Sequence, residues 1–277
     1  MLCYRCGTYS PDGSRQCIEC EEAFSPERRR SSPAGLPSGR SETSEKPPFA
    51  VGQLVAGNYR LREVIARGAS GWVMRARDES SDTDVALKIL DPNLLSTEAQ
   101  KSDFLKVAKR TVKIHHPNVV RVFQAGTEGD FVFYSMTYLE GLTLRKIIDL
   151  RAEKKQVFSF SEAIPLVNQL AEGVQGLSKL KFHGALSPNN VLVLPDILKI
   201  TGASHFQGLP HDSFIQRLSN RPGGAYLSPE AKDSVNRVSP RSDVYSIAVI
   251  FAEMTTGVVY GKNRDDWDLV ASRLEPG

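Results

Sequence analysis

The chain's four cysteines are Cys3, Cys6, Cys17 and Cys20, and the rest of its 277 residues include no other. Their spacing is C-x2-C-x10-C-x2-C. Each CxxC turn can present two thiolates from one tight knuckle, and together they make a tetrahedral four-sulfur site that suits Zn2+. Gly7 relieves crowding behind Cys6, and Pro11-Asp12-Gly13 is a turn signal that folds the segment back on itself. About 20 residues cannot bury a core, so a metal would supply the folding energy. Two disulfides or reactive thiols are the other readings. The start, Met1 to Cys6, has no apolar signal-peptide core, which argues against the secreted context that disulfides need.

A second set of residues suggests phosphate chemistry. Gly68-Ala69-Ser70-Gly71 lies between two strand-like stretches, where glycine lets a backbone approach an anion closely. Lys88 ends the strand-like Val85-Ala86-Leu87-Lys88. A plain β-turn and a strand-edge lysine are the structural alternatives. Further on, His183-Gly184-Ala185-Leu186-Ser187-Pro188-Asn189-Asn190-Val191-Leu192 is a polar loop, and Leu198 to Ser204 is a strand running into Gly202-Ala203-Ser204.

The elements that must position these groups read as strands first and helices after. Arg60–Ile65, Trp72–Ala76, Asp84–Leu90, Val119–Phe123 and Phe131–Tyr138 have strand composition. Thr97–Ile114 reads as a helix with a Thr97/Gln100 capping box, and Ala163–Leu180 and Asp243–Thr256 carry helical periodicity. The order predicts an α+β chain of two unlike lobes. Residues 1–22 form the cysteine module. Residues 23–52, rich in Ser, Pro, Gly and charge, read as a disordered linker. The folded domain is expected over 53–277, with a β-rich lobe to about 138 and a helical lobe from about 139.

Composition excludes little. The net charge of +3 gives no case for nucleic acid or an anionic membrane as partner, and the cysteine module carries few basic residues. The longest apolar run, Ile247–Ala252, is far short of the roughly 20 residues of a membrane span. A cytoplasmic protein is the expectation.

In their order, the motifs resemble those of the eukaryotic-type Ser/Thr protein kinase family, especially its bacterial branch, from about residue 58 onward. The first 22 residues are similar to a zinc ribbon. The kinase resemblance implies a two-lobed fold, C-terminally incomplete here, with ATP between the lobes. Gly68, Gly71 and Val73 match the glycine-rich loop, with Ala66 in place of its first glycine, and Lys88 matches the lysine that contacts the α- and β-phosphates. Met136 takes the gatekeeper position, backbone near Tyr138 would meet adenine, and Val73, Ala86 and Leu192 would sandwich it. Tyr226-Leu227-Ser228-Pro229-Glu230 resembles the A-P-E segment, Asp243 opens a buried helix, and Arg221-Pro222-Gly223-Gly224 suggests a mobile loop.

The same alignment shows what is missing. Val107 stands at the position of the glutamate that pairs the lysine, with Asp103 one turn earlier as the nearest acid. Ala185 stands at the proton-accepting aspartate, Gly184 at the arginine before it, and Gly202 at the magnesium-binding aspartate. Asn190 alone is a poor magnesium site, since Mg2+ favours carboxylate and phosphate oxygens. The expected function is a pseudokinase: a regulatory or scaffolding module that binds other signalling proteins and holds ATP without efficient transfer. Two alternatives stand beside it. One is an active Ser/Thr kinase with relocated groups drawn from Asp103, Asn189, His183 or His205. The other is a zinc-ribbon interaction protein with the kinase fold as scaffold.

Overall fold

The computed structural model describes residues 46–259 except 178, together with residues 3, 8, 10, 11, 13–19, 21, 23 and 24. The 25–45 stretch of the expected linker and residues 260–277 lie outside the described residues.

The first lobe is a six-stranded antiparallel sheet of β1 (Leu54–Val55), β2 (Tyr59–Gly68), β3 (Gly71–Asp78), β4 (Thr83–Leu90), β5 (Val122–Glu128) and β6 (Phe131–Thr137), ordered β1-β2-β3-β4-β6-β5. Alternation along β4 organises it, because successive side chains face opposite sides of a sheet. Val85, Leu87 and Ile89 join Leu61, Met74, Ala76 and Phe133 in one apolar cluster, which Phe49 and Tyr59 also enter. Ala86 and Leu90 face the other way, into a cluster with Tyr134 and Met136. Lys88 shares this second face.

Helix α1 (Glu98–Val112) crosses that face, and the Thr97/Gln100 capping box forms as the sequence suggests. The strand expected over Val119–Phe123 begins only at Val122 and runs on to Glu128. Val119 and Val120 are taken instead by the helical lobe: Val120 N–H donates to the Ile200 carbonyl at 2.8 Å, and Val119 bridges the same residue.

The helical lobe begins with β7 (Leu142–Thr143) and α2 (Leu144–Glu153), followed by α3 (Phe160–Gln175), β8 (Val191–Val193) and β9 (Leu198–Ile200). Strands β7, β8 and β9 form a small antiparallel sheet. Then come α4 (His205–Gly208), α5 (His211–Ser219), α6 (Pro229–Asp233) and α7 (Pro240–Thr256). Helix α3 starts three residues before the expected Ala163, because Ser159 and Glu162 form a capping box ahead of it. It stops at Gly176, where a β-carbon would lie 2.5 Å from the His116 ring. The core of this lobe gathers Leu170, Leu186, Ile200, Ile250 and Met254. The expected mobile loop at Arg221–Gly224 is a 3-10 turn, Pro222–Tyr226, with Gly224 set so tightly that a β-carbon would meet the Leu218 carbonyl at 2.7 Å. Among the described residues no helix is long and apolar enough to cross a membrane.

Candidate functional site between the lobes

The glycine-rich stretch is the β2–β3 hairpin. Gly68 pairs with Gly71 across a two-residue turn, Ala69-Ser70. Gly71 sits at φ +131°, and a β-carbon there would lie 2.2 Å from the Ile89 carbonyl oxygen, so glycine alone fits. The hairpin tip is tied down, since Asp91 N–H donates to the Ser70 carbonyl at 3.0 Å. Beneath it, Lys88 is 5% exposed, and its Nζ donates to the Gly71 carbonyl at 3.0 Å. Burial, and then the nearby Arg221 guanidinium, pull the Lys88 ammonium down to about 7.

Val107 is buried on α1 and packs toward Gly208 of α4, where a β-carbon would lie 3.4 Å from it. Asp103 is turned to solvent and pairs with Lys106 at 2.8 Å. Asp103, one of the four residues the relocated-group alternative names, is thus paired with Lys106 and not with Lys88.

The loop from His183 to Leu192 is held from behind. Asp243 accepts from the backbone N–H of His183 at 2.7 Å and of Gly184 at 2.8 Å. His183 Nε2 meets the Thr201 carbonyl at 3.0 Å, and burial holds the imidazole below its ordinary value, so it is neutral and donates there. Ala185 is buried in the apolar cluster that spans the lobes. Asn190 braces the loop with both ends of its amide: Oδ1 accepts from Ser187 N–H at 2.8 Å and Nδ2 donates to the Ala185 carbonyl at 2.9 Å. Asn189 is exposed. Gly202 adopts φ +82°, and a β-carbon there would lie 3.1 Å from His205 Nδ1 and 4.0 Å from Asn190 Nδ2. His205 Nε2 meets the Tyr134 hydroxyl at 2.9 Å. Burial and then the Lys88 charge drive His205 well below its ordinary value, which makes its imidazole a neutral space-filler among Phe104, Tyr134 and Phe214.

The residues expected around adenine do come together. Val73, Ala86, Met136, Tyr138 and Leu192 all belong to the interlobe cluster. The Tyr138 ring lies 4.7 Å below the Arg75 guanidinium, and Thr201 Oγ1 donates to Met136 Sδ at 3.5 Å. In the cysteine module, Cys3 and Cys17 are buried together with Phe24, and Glu19 N–H points at Cys17 Sγ at 3.4 Å. An amide donor to sulfur serves a thiol and a metal-bound thiolate alike, and among the described residues no group of three or more His, Cys, Asp or Glu is gathered to hold a metal. Cys6 and Cys20 lie outside the described residues.

One group of residues escaped the sequence reading. Phe206, Leu209, Phe214, Ile215 and Leu218 run through the site on α4 and α5, beside the His205 already singled out. Their helical spacing was the available signal.

A curled antiparallel sheet over a helical lobe, with a lysine and a glycine hairpin facing the cleft, defines a protein-kinase fold. The model of the protein tyrosine and serine/threonine kinase family matches residues 59–266, and the chain belongs to that family. It is 29% identical over 212 residues to a probable serine/threonine-protein kinase of Clostridium perfringens, covering 76% of this chain and 30% of that protein. With the serine/threonine-protein kinase PrkC of Bacillus subtilis it shares 25% over 209 residues, covering 75% and 32%. The chain thus spans about a third of the length of these relatives. The crystal structure of the Mycobacterium tuberculosis PknI kinase domain superposes with a TM-score of 0.64 at 18% identity, covering 76% of this chain and 78% of that one, a likeness of fold.

Proposed function

We propose that this chain is a pseudokinase: a kinase-fold module that serves regulation or assembly in signalling, with a nucleotide pocket and without efficient phosphoryl transfer. The observation that carries this reading is the buried Lys88. It faces a backbone carbonyl and a neighbouring arginine, and Val107, Ala185 and Gly202 stand where the family places carboxylates. Phosphoryl transfer is almost wholly positioning and charge placement, so these three losses remove what the fold would contribute to the chemistry.

Without acids beside Lys88 there is little to hold magnesium, and the lysine can meet phosphates directly. ATP binding followed by thermal shift is therefore expected to be indifferent to added Mg2+. An ATP stabilisation that appears only with Mg2+ would count against this pocket. We also propose Cys3, Cys6, Cys17 and Cys20 as one Zn2+ site with a structural or protein-binding role. Its test is metal analysis before and after a chelator. Stoichiometric zinc, lost together with the N-terminal fold and leaving the kinase-like domain folded, is the expected result. A metal-free protein with paired disulfides would refute it.

A further inference from the structure

The turn that joins α2 to α3 is fixed on its inner side and exposed on its outer side. Arg151, in the last turn of α2, is buried and holds three groups at once. It pairs with the Glu162 carboxylate at 2.7 Å, donates to the Val157 carbonyl at 3.0 Å and lies 3.9 Å from the centre of the Phe158 ring. Lys155 adopts φ +57°, and the N–H groups of Lys155 and Gln156 donate back to the carbonyls of Ala152 and Arg151. The side chains left outside are therefore set: Glu153, Lys154, Lys155 and Val157 on the turn, then Phe160 and Ile164 at the start of α3. Val157, Phe160 and Ile164 are each about half exposed, an apolar group that the rest of the described lobe does not cover.

The cysteine module carries an edge of the opposite character. The chain turns tightly around Cys17, with Glu21 N–H donating to the Cys17 carbonyl at 3.0 Å and Glu19 N–H directed at its sulfur. Ile18, Glu19 and Glu21 are left exposed by that turn, Ile18 to 66%. Glu19 then comes within 3.9 Å of Lys154 Nζ. One exposed ion pair contributes little. Here each partner has a second like charge close by, Glu21 on the module and Lys155 on the turn. Each also has a large exposed apolar neighbour, Ile18 and Val157. Only the 21 residues 25–45 separate Phe24 from Lys46, so the two surfaces meet at an effective concentration of about a millimolar. A contact too weak to last between separate molecules is populated within one chain.

We propose that the α2–α3 turn is the docking site of this chain's own cysteine module, with Glu19 and Glu21 set against Lys154 and Lys155 and Ile18 against the apolar group led by Val157. A protein that takes the module by its Cys17–Glu21 edge must then compete with the helical lobe for it.

The test uses the whole chain and a carbodiimide, which joins a carboxylate to an adjacent amine without a spacer. A Glu19–Lys154 link is expected in the monomer, with Asp103–Lys106 as the internal control at 2.8 Å. Two variants leave the reacting pair intact. Ile18→Ser on the module and Lys155→Glu on the turn should each lower the yield of that link about fivefold, and the control link should not change. Because they sit on different parts of the chain, misfolding of the module cannot account for both. Exchanging the charges, Glu19→Lys with Lys154→Glu, should leave a link at the same two positions. No link at 154 or 155 while the control reacts would overturn the docking. So would a yield indifferent to both variants, which marks chance proximity. A link of mixed mass in a sample blended from normal and nitrogen-15 chains would place a second copy's module on the turn and overturn the proposal equally.

Discussion

Replacing Glu253 with methionine is expected to destabilise the helical lobe by about 3–5 kcal/mol, measured by urea unfolding, and Arg145→Met by a similar amount. Glu253 lies on α7 with its side chain 2% exposed. It accepts from Arg145 Nη1 of α2 at 2.6 Å and from the Tyr226 hydroxyl. Arg145 also reaches Tyr226 at 3.2 Å and Asp149 at 2.8 Å. Three segments far apart in sequence are thus tied at one buried carboxylate. Removing one partner leaves the other desolvated and unpaired, which is far worse than never having buried the pair. The triple variant Arg145→Met, Glu253→Met, Tyr226→Phe removes every polar group at once. It should lose much less than the sum of the singles, within about 2 kcal/mol of the unsubstituted chain. Burial pushes the Tyr226 hydroxyl up and the Glu253 charge adds to it, so this tyrosine remains the donor over the accessible pH range. Additive losses across the three sites would show that they do not act as one cluster.

Lys88→Met is expected to stabilise the protein, the opposite of what removing a well-paired buried lysine does. An ammonium with an ordinary value of 10.5 and a value of about 7 in the fold is a penalty of at most about 5 kcal/mol at neutral pH. Losing the Gly71 hydrogen bond and relaxation of the site reduce the expected gain to about 1–2 kcal/mol, or a few degrees in Tm. The pH dependence fixes the sign. The native state binds fewer protons than the unfolded chain between about 7 and 10.5, so this site's contribution to stability rises with pH across that window. Below about 7 the penalty is complete and level. The advantage of Lys88→Met should therefore be greatest near and below neutrality and fade towards pH 10. A variant that is less stable at every pH would mean that Lys88 has an anionic partner.

Much of the fold was legible because it is local. The Thr97/Gln100 capping box, the alternation along Val85–Leu90 and the periodicity of Asp243–Thr256 all appear where short-range patterns put them. The site positions were legible for a different reason: Gly68, Gly71, Lys88, His183 and Asn190 keep the spacing of known motifs. What failed depended on distant contacts. Val119 and Val120 have strand composition, yet their backbone is claimed by Ile200 across the lobe boundary. The Arg221–Gly224 stretch has the composition of a free loop, but Gly224 is pressed against the Leu218 carbonyl. Asp103 could be counted on a helix face without revealing that it turns to Lys106. The seat of α4 is the clearest case, since it exists only because Gly184 meets Phe206 and Gly208 meets Phe104 and Val107 in space. The Arg145–Glu253–Tyr226 cluster, with its charges 108 positions apart in the chain, had no sequence signature.

The central claim is that this kinase fold does not transfer phosphate efficiently. Incubation of the whole chain with γ-labelled ATP, a general acceptor protein and Mg2+ or Mn2+ tests it most directly. Loss of three charge-placing groups at about 3 kcal/mol each implies a rate roughly six decades below an ordinary kinase, allowing for non-additivity, which leaves no label above background. Labelling that accumulates over many turnovers and disappears in Lys88→Met would contradict the account.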